Sequence, residues 1–369
     1  MTQTANQSTF KICLVSISLA KGGAERSVAM CSQMLAAQGH NVHIAVLNDD
    51  VGFPFEGTLF NMGALKNTNG SVKSRLQRFI ALRKYLTSEA FDVIIDHRPK
   101  NQYFRELFYA YYVYRNLKKC YVIHSSNVPE YFTHRTKSFV KVYNSTVKTV
   151  TVSDYITNEI AVKKGVTNVV TIHNAFNANW GKVEVQSQVS GTYILSYGRL
   201  VDTIKDFKFL MQSFEASLVW KQDIKLVIMG NGPDEAQLKL FANSLTCAAF
   251  ITFLPFQKVP FAIVKGARCV TLTSKYEGFP MVLVESLAIG TPVVSLDIVS
   301  GPSEIIKHRK NGLLIKDRDV SQFGEALNLI ATDEKLYLKL KQHTIPSVQA
   351  FSMEHIGIKW NKLLQDAIH

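Results

Sequence analysis

The sequence predicts an α/β protein made of two successive doubly wound domains, each a parallel sheet covered by helices. Three observations carry that expectation. Short apolar, β-branched runs alternate with helical stretches along the chain, as parallel strands buried on both faces require. The alternation pauses once, at the polar, aperiodic stretch 177–191 (NANWGKVEVQSQVSG), and then resumes. Glycines stand at several strand ends, where loops of such sheets approach ligands. At roughly 100–200 residues per domain, 369 residues suit two or three domains. The expected boundaries are 1–180, 181–351 and a closing helical segment 352–369 that crosses back to the first domain.

The first domain opens with the strand Phe10–Ser18, a Gly22-Gly23 turn, a helix to about Gln38 and the strand Val42–Leu47. Residues 48–73 read as a polar loop, followed by an amphipathic helix. The strands Phe91–Ile95, Cys120–His124, Val147–Val152 and Val169–Ile172 follow. The second domain repeats the scheme with strands Tyr193–Tyr197, Lys225–Met229, Phe250–Phe253, Cys269–Thr273 and Pro292–Ser295. Its helices are expected near 206–218, 233–245, 279–289 and 320–332, and Ser352–Ile368 is helical with Ser352 at its N-cap. Two such sheets leave a cleft between them, with ligands expected at the carboxyl ends of the strands.

Composition removes several classes of function. With 47% hydrophobic and 19% charged residues the chain is neither disordered nor low-complexity. The runs Ser27–Asn48 and Leu240–Gln257 lack charge, but each is broken by polar residues, so no membrane span is expected. The opening MTQTANQST has neither a charged n-region nor an apolar h-region, so no signal peptide is expected. Five widely spaced cysteines without a C-x-x-C suggest no disulfide framework and no zinc, in keeping with a cytoplasmic setting.

The net charge is +13 and unevenly placed: residues 73–148 hold 15 basic and 5 acidic side chains. That region should face something anionic, a bilayer surface or a nucleic acid. Within it, Leu76–Tyr85 and Glu106–Lys119 mix aromatic, apolar and basic residues, as interfacial membrane binders do. No recognised nucleic-acid motif accompanies the charge, so no nucleic-acid partner is expected.

Several loop residues carry chemistry. Gly22 and Gly23 let the backbone approach a phosphate at a helix N-terminus. Gly198, Arg199 and Lys205 follow a strand and could clamp a diphosphate, and Gly230-Asn-Gly-Pro233 closes the next strand. Glu277 and Glu285 are eight residues apart, about two helical turns, around Gly278-Phe279-Pro280. Glu285 lies in an apolar stretch, where a carboxylate needs a partner. Asp317-Arg-Asp319 has the look of a metal motif, but its place before a helix makes Asp319 an N-cap and no metal is expected. His124 and His173 end apolar strands, and Asp96-His97-Arg98 ends another.

Taken in order, these pieces resemble a family-four retaining glycosyltransferase of the GT-B fold. The resemblance runs through Lys21-Gly-Gly-Ala-Glu-Arg26, Val152-Ser-Asp154, Gly198-Arg-Leu200 with Lys205, Gly230-Asn-Gly-Pro233, the Glu277/Glu285 pair, Gly290-Thr-Pro-Val-Val294, Gly301-Pro-Ser-Glu304 and Asn311-Gly-Leu313. It departs at Ile172-His-Asn-Ala175, where relatives often have proline before the asparagine and glycine after it. It departs again at Asp206, where glycine or asparagine is commoner.

The resemblance implies that Arg199 and Lys205 bind the donor diphosphate, that Glu285 takes the ribose hydroxyls, and that Glu277 with the Gly278–Phe279 amides and Pro280 holds the donor sugar. Gly22, Gly23, Gly198, Gly230 and Asn174 would line the donor site, and His124 would lie near the transferred sugar. It further implies a UDP-sugar donor, a lipid-linked or polysaccharide acceptor at the cytoplasmic membrane face, and no cofactor. The competing readings are a nucleotide-sugar epimerase or hydrolase of the same fold, and a basic nucleic-acid-binding protein.

Overall fold

Thirteen strands form two all-parallel sheets among the residues that this computed structural model describes: 8–20, 22–65, 72–133, 135–182, 188–316 and 318–368. Lys21 and Asp317, each singled out in a motif, lie outside them. Contacts divide the chain into one unit of Met1–Ala175 with Met353–His369, and another of Phe176–Ser352.

In the first unit the strands are β1 (Lys11–Ser16), β2 (Asn41–Val46), β3 (Thr58–Asn61), β4 (Val93–Asp96), β5 (Lys119–Ile123), β6 (Lys148–Thr151) and β7 (Val169–Thr171). Their order is β3-β2-β1-β4-β5-β6-β7. Leu14 pairs with Ile44 on one side and Ile95 on the other, and Ile12 through Val15 are fully buried. Covered on both faces, β1 has no polar alternation, which is why it reads as a continuous apolar run. The second unit carries β8 (Tyr193–Tyr197), β9 (Lys225–Met229), β10 (Ile251–Leu254), β11 (Cys269–Leu272), β12 (Val293–Leu296) and β13 (Gly312–Ile315), ordered β10-β9-β8-β11-β12-β13. Chain order reverses beside β1 and β8, so the loops after β1, β4, β8 and β11 leave at the switch points where such sheets bind ligands.

The stretch 48–73, expected to be loop, contains β3, which adds to β2 in parallel from His43↔Thr58 to Val46↔Asn61. A four-residue edge strand is too short to show a period. A helix at Glu334–Ser347 also lies beyond the sequence reading. Asp319 does cap the helix Val320–Thr332, accepting from the Gln322 amide at 2.9 Å.

The helix Met353–Ile368 belongs to the first unit. It lies against the helix Gly23–Ala37, with the position a Cβ would take on Gly357 only 3.5 Å from Met34 Cβ. Asn361 Oδ1 stands 3.1 Å from His40 Nε2, and Gln365 Nε2 donates to the Ser8 carbonyl at 2.7 Å.

Candidate active site

In the second unit the loops after β8 and β9 are knitted together by glycines. A Cβ on Gly230 would stand 1.8 Å from Gly198 O, and one on Gly232 would stand 2.1 Å from Leu200 O. Gly230 and Gly198 both have positive φ, 154° and 150°, a region open to few side chains. The Gly198 amide donates to Met229 O at 3.0 Å and the Leu200 amide to Asn231 O at 3.0 Å. These glycines therefore let two backbones meet, and that meeting fixes where Arg199 and Lys205 leave the sheet.

Lys205 ends the short helix Asp202–Lys205, and the chain then turns through Asp206 at φ 53°, ψ 52°. That left-handed conformation suits glycine or asparagine and tolerates aspartate, whose short side chain finds local partners. Here the partner is Arg318, whose Nη1 donates to Asp206 Oδ2 at 2.7 Å and to Thr273 O at 3.0 Å, while its Nη2 donates to Ser274 O at 2.8 Å. Arg318 thus ties the turn after β8 to the loop after β11.

The tie brings Lys205 onto Glu277. Lys205 Nζ lies 2.6 Å from Glu277 Oε1, and the Ser274 hydroxyl donates to the same oxygen at 2.6 Å. Both side chains are only partly covered, at 23% and 15% exposure, and Arg199 beside them is exposed. Glu285 differs: it is 2% exposed, inside the helix Met281–Ile289, and its Oε2 accepts from Tyr197 Oη at 3.0 Å. The partner that its apolar surroundings demand includes this phenol, so the two glutamates occupy unlike environments. Gly278 O accepts from Ser300 Oγ at 2.5 Å, and Phe279 is packed edge-on against Phe351. A Cβ on Gly301 would stand 2.2 Å from Pro280 Cδ, so 278–280 are held from behind.

In the first unit Gly22 caps the helix Gly23–Ala37, and a Cβ there would stand 2.0 Å from Glu25 Oε2. At Gly23 nothing lies within 4 Å of that position, so open space surrounds it. Burial pushes the Glu25 carboxyl above its ordinary range. Asn174 Oδ1 accepts from Ser27 Oγ at 2.7 Å, which brings the loop after β7 to the start of this helix.

At the ends of β4 and β5 the polar groups are buried. Arg98 grips Asp96 with two hydrogen bonds, from Nε at 3.0 Å and Nη2 at 2.7 Å, and reaches Glu106 at 3.2 Å. Lys100 Nζ lies 3.2 Å from Asp96 and donates to Arg98 O at 2.6 Å. Burial pushes the Asp96 carboxyl up, but Arg98 and then Lys100 outweigh that and hold it at about 2. Burial brings Lys100 down to about 8 against the pull of Asp96. Two cations of the basic stretch are thus turned inward, paired with two of its carboxylates, and its surface excess is undiminished.

His124 follows β5 and lies 2.9 Å from His97, Nε2 to Nδ1. Burial of its nitrogens brings His124 down to about 3, with Lys100 adding to the effect. The histidine is neutral around pH 7. Sequence reasoning gave no role to Tyr197, Ser274 or Arg318, although Ser274 opens the Glu277 motif and Arg318 lies in Asp317-Arg-Asp319, and it did not pair His97 with His124. Tyr197, adjoining Gly198-Arg199, was the one within reach, since a phenol at a strand end can serve a buried carboxylate.

Residues 21–180 match the model for Glycosyltransferase Family 4, and residues 182–345 match that for Glycosyl transferases group 1. The chain is 23% identical over 369 residues, 96% of this chain and 98% of the relative, to the Campylobacter jejuni GalNAc-alpha-(1->4)-GalNAc-alpha-(1->3)-diNAcBac-PP-undecaprenol alpha-1,4-N-acetyl-D-galactosaminyltransferase. It is 31% identical over 153 residues, 40% of this chain and 42% of the relative, to the Escherichia coli lipopolysaccharide 1,6-galactosyltransferase. The match spans about half or less of the length of the first curated relatives. Among solved structures, S. aureus TarM in complex with Fondaparinux, alpha-GlcNAc-glycerol and UDP has a TM-score of 0.78 at 15% identity, covering 96% of this chain and 100% of that one. With the two parallel sheets and two family matches end to end, the chain belongs to the family-4-like glycosyltransferases of the GT-B fold.

Proposed function

We propose that the protein transfers a hexose or N-acetylhexosamine, with retention, from a UDP-sugar to a lipid-linked or polysaccharide acceptor at the cytoplasmic membrane face. The observation that carries this reading is the convergence of Arg199, Lys205, Glu277 and Glu285 on the β8 and β11 strand ends of one sheet. Transfer breaks the bond between the sugar C1 and the diphosphate oxygen, leaving negative charge on the diphosphate and positive charge on the sugar ring. Arg199 is exposed and Lys205 is held only by a partly open pair, so both are available to that leaving charge. A preformed cation aimed at developing charge is worth roughly 10²–10³ in rate. In this reading Lys205 passes from Glu277 to the diphosphate, and Glu277 is left to hold the donor sugar. Glu285, buried beside Tyr197, takes the ribose hydroxyls. Retention follows from attack on the face the leaving group vacates. No cofactor and no metal enters the reading.

The membrane part rests on the surface of the first unit. Phe104 and Tyr111 are 74% and 61% exposed, and Leu76 and Ile80 are about half exposed. Arg135 lies over the rings of Tyr103 and Phe104 at 5.1 and 5.7 Å. Aromatic side chains among cations suit an interface with anionic headgroups. No helix among the described residues is long and apolar enough to cross a membrane.

Nucleoside-diphosphate release from a panel of UDP-, GDP- and ADP-sugars, with and without a membrane lipid extract, tests the reading. The expected result is lipid-stimulated release from a UDP-sugar, lost in Glu285→Gln. Release indifferent to lipid and unaccompanied by a glycosylated product would favour the hydrolase.

A further inference from the structure

The left-handed turn after the helix Asp202–Lys205 would be held as well by glycine or asparagine, neither of which carries a charge. The carboxylate at Asp206 is instead one residue from Lys205, and at 15% exposure it is only partly screened by solvent. A negative charge there opposes the binding of an anion, the ligand that Arg199 and Lys205 are set to take. Among the described residues one cation answers it, Arg318, whose Nη1 lies 2.7 Å from Asp206 Oδ2. The guanidinium lies 5.3 Å from the centre of the Phe209 ring and donates to Thr273 O and Ser274 O, which fixes its plane. The Ser274 hydroxyl in turn donates to Glu277 Oε1, the oxygen that Lys205 Nζ meets at 2.6 Å. Asp206, Arg318, Ser274, Glu277 and Lys205 thus form one contiguous run of contacts, with the Asp206 charge cancelled at its far end.

A mechanical tie is not what Arg318 alone supplies. Thr273 Oγ1 donates to Lys205 O at 3.0 Å and the Lys275 amide donates to Ile204 O at 2.7 Å, so the loops after β8 and β11 are joined without it. As a counter-charge to Asp206 it has no substitute among the described residues. We propose that Arg318 is a positioning residue that acts through Asp206: its fork fixes and neutralises the carboxylate, and so leaves the field of Arg199 and Lys205 to an anionic ligand of the nucleoside-diphosphate class. The ligand rests on the glycosyltransferase reading; the pairing of Arg318 with Asp206 is a property of the chain alone.

UDP binding to the full chain, measured by calorimetry at low and at moderate ionic strength, separates charge from tie. Arg318→Gln should weaken UDP by about 10-fold at low salt, and the defect should shrink as salt rises. Arg318→Lys, which keeps the charge without the fork, should retain most of the affinity. The double variant Arg318→Gln with Asp206→Asn should bind within about threefold of wild type, because asparagine keeps the left-handed turn and removes the charge. A tie would give the reverse, each substitution adding to the loss. A double variant no better than Arg318→Gln therefore overturns the proposal, and so does a defect that ignores salt. If Arg318→Gln does not fold, Asp206→Asn alone decides: it should bind UDP at least as tightly as wild type, where a lost tie would weaken it. Thermal melts without ligand test the pair by itself, Arg318→Gln lowering Tm and Asp206→Asn restoring part of the drop. That rescue in a chain that binds none of UDP, GDP, ADP and inorganic diphosphate would sink the functional reading, and with it the role of Arg318 towards a ligand, and leave the pair intact.

Discussion

The chain holds two clusters of opposite charge at strand ends, and they are built in opposite ways. Asp96, Arg98, Lys100 and Glu106, after β4, are all at most 2% exposed and satisfy one another, with Tyr114 donating to Asp96 at 3.2 Å and Arg98 lying 3.4 Å over the Tyr109 ring. Lys205 and Glu277, at the ends of β8 and β11, share a single close contact and stay partly open. A closed, fully hydrogen-bonded set has no valence left for a ligand, and removing one member strands a buried charge. A half-open pair loses little when parted and can exchange one partner for another. Closure marks the first cluster as architecture, and openness leaves the second free to serve as the working site of the proposed reaction, although their residue types are nearly the same.

The sharpest way to break the comparison is Asp96→Asn. It should destabilise the first unit by about 3–5 kcal/mol, because Arg98 and Lys100 lose the carboxylate between them. Lys100, already brought to about 8 by burial, would then fall further and shed its proton near neutrality. Its folded pKa would lie well below the unfolded value, so the unfolded chain would bind more protons. The variant should therefore gain stability as pH rises from 6 to 9, more steeply than wild type. Thermal melts across that range measure this, and a variant as stable as wild type at pH 6 would show the cluster to be dispensable.

Lys205→Ala tests the other side. It should lower kcat by about 10²–10³, while shifting stability by no more than roughly 1 kcal/mol. A large loss of stability with turnover retained would make this pair architectural as well. The smallest effect is expected at the exposed helical pair Lys163–Glu159, where Glu159→Gln should move stability by less than about 0.5 kcal/mol and leave turnover unchanged. A melt that separates Glu159→Gln from wild type by several degrees would mean that exposure is not what ranks these pairs.

Much of this was legible from residue order, and what was missed shares a cause. Buried strands such as β1 and β9 announce themselves by unbroken apolar runs, whereas β3, short and at an edge, had no period to show. Arg199, Lys205, Glu277 and Glu285 could be placed near strand ends because glycines and short apolar runs mark where those strands stop. The partners that set their environments could not. Arg318 reaches Asp206 across 112 positions and His97 meets His124 across 27, and no local spacing encodes such pairings. Asn311 was read as part of a motif, yet it is fully buried, its amide bound to Ile305 O at 3.0 Å and Ser347 Oγ at 2.9 Å. Its order along the chain told membership in a family, not whether it meets a ligand or another loop.

The helix Met353–Ile368 has a consequence for how the molecule is made. It supplies Ile356, Trp360 and Leu364 to a unit whose other residues end at Ala175. During synthesis the seven-stranded sheet emerges well before this helix, while the second unit is continuous and can fold as soon as it has left the ribosome. Until then the surface around Met34 and His40 lacks its cover. The unit translated before the other is thus the one completed after it.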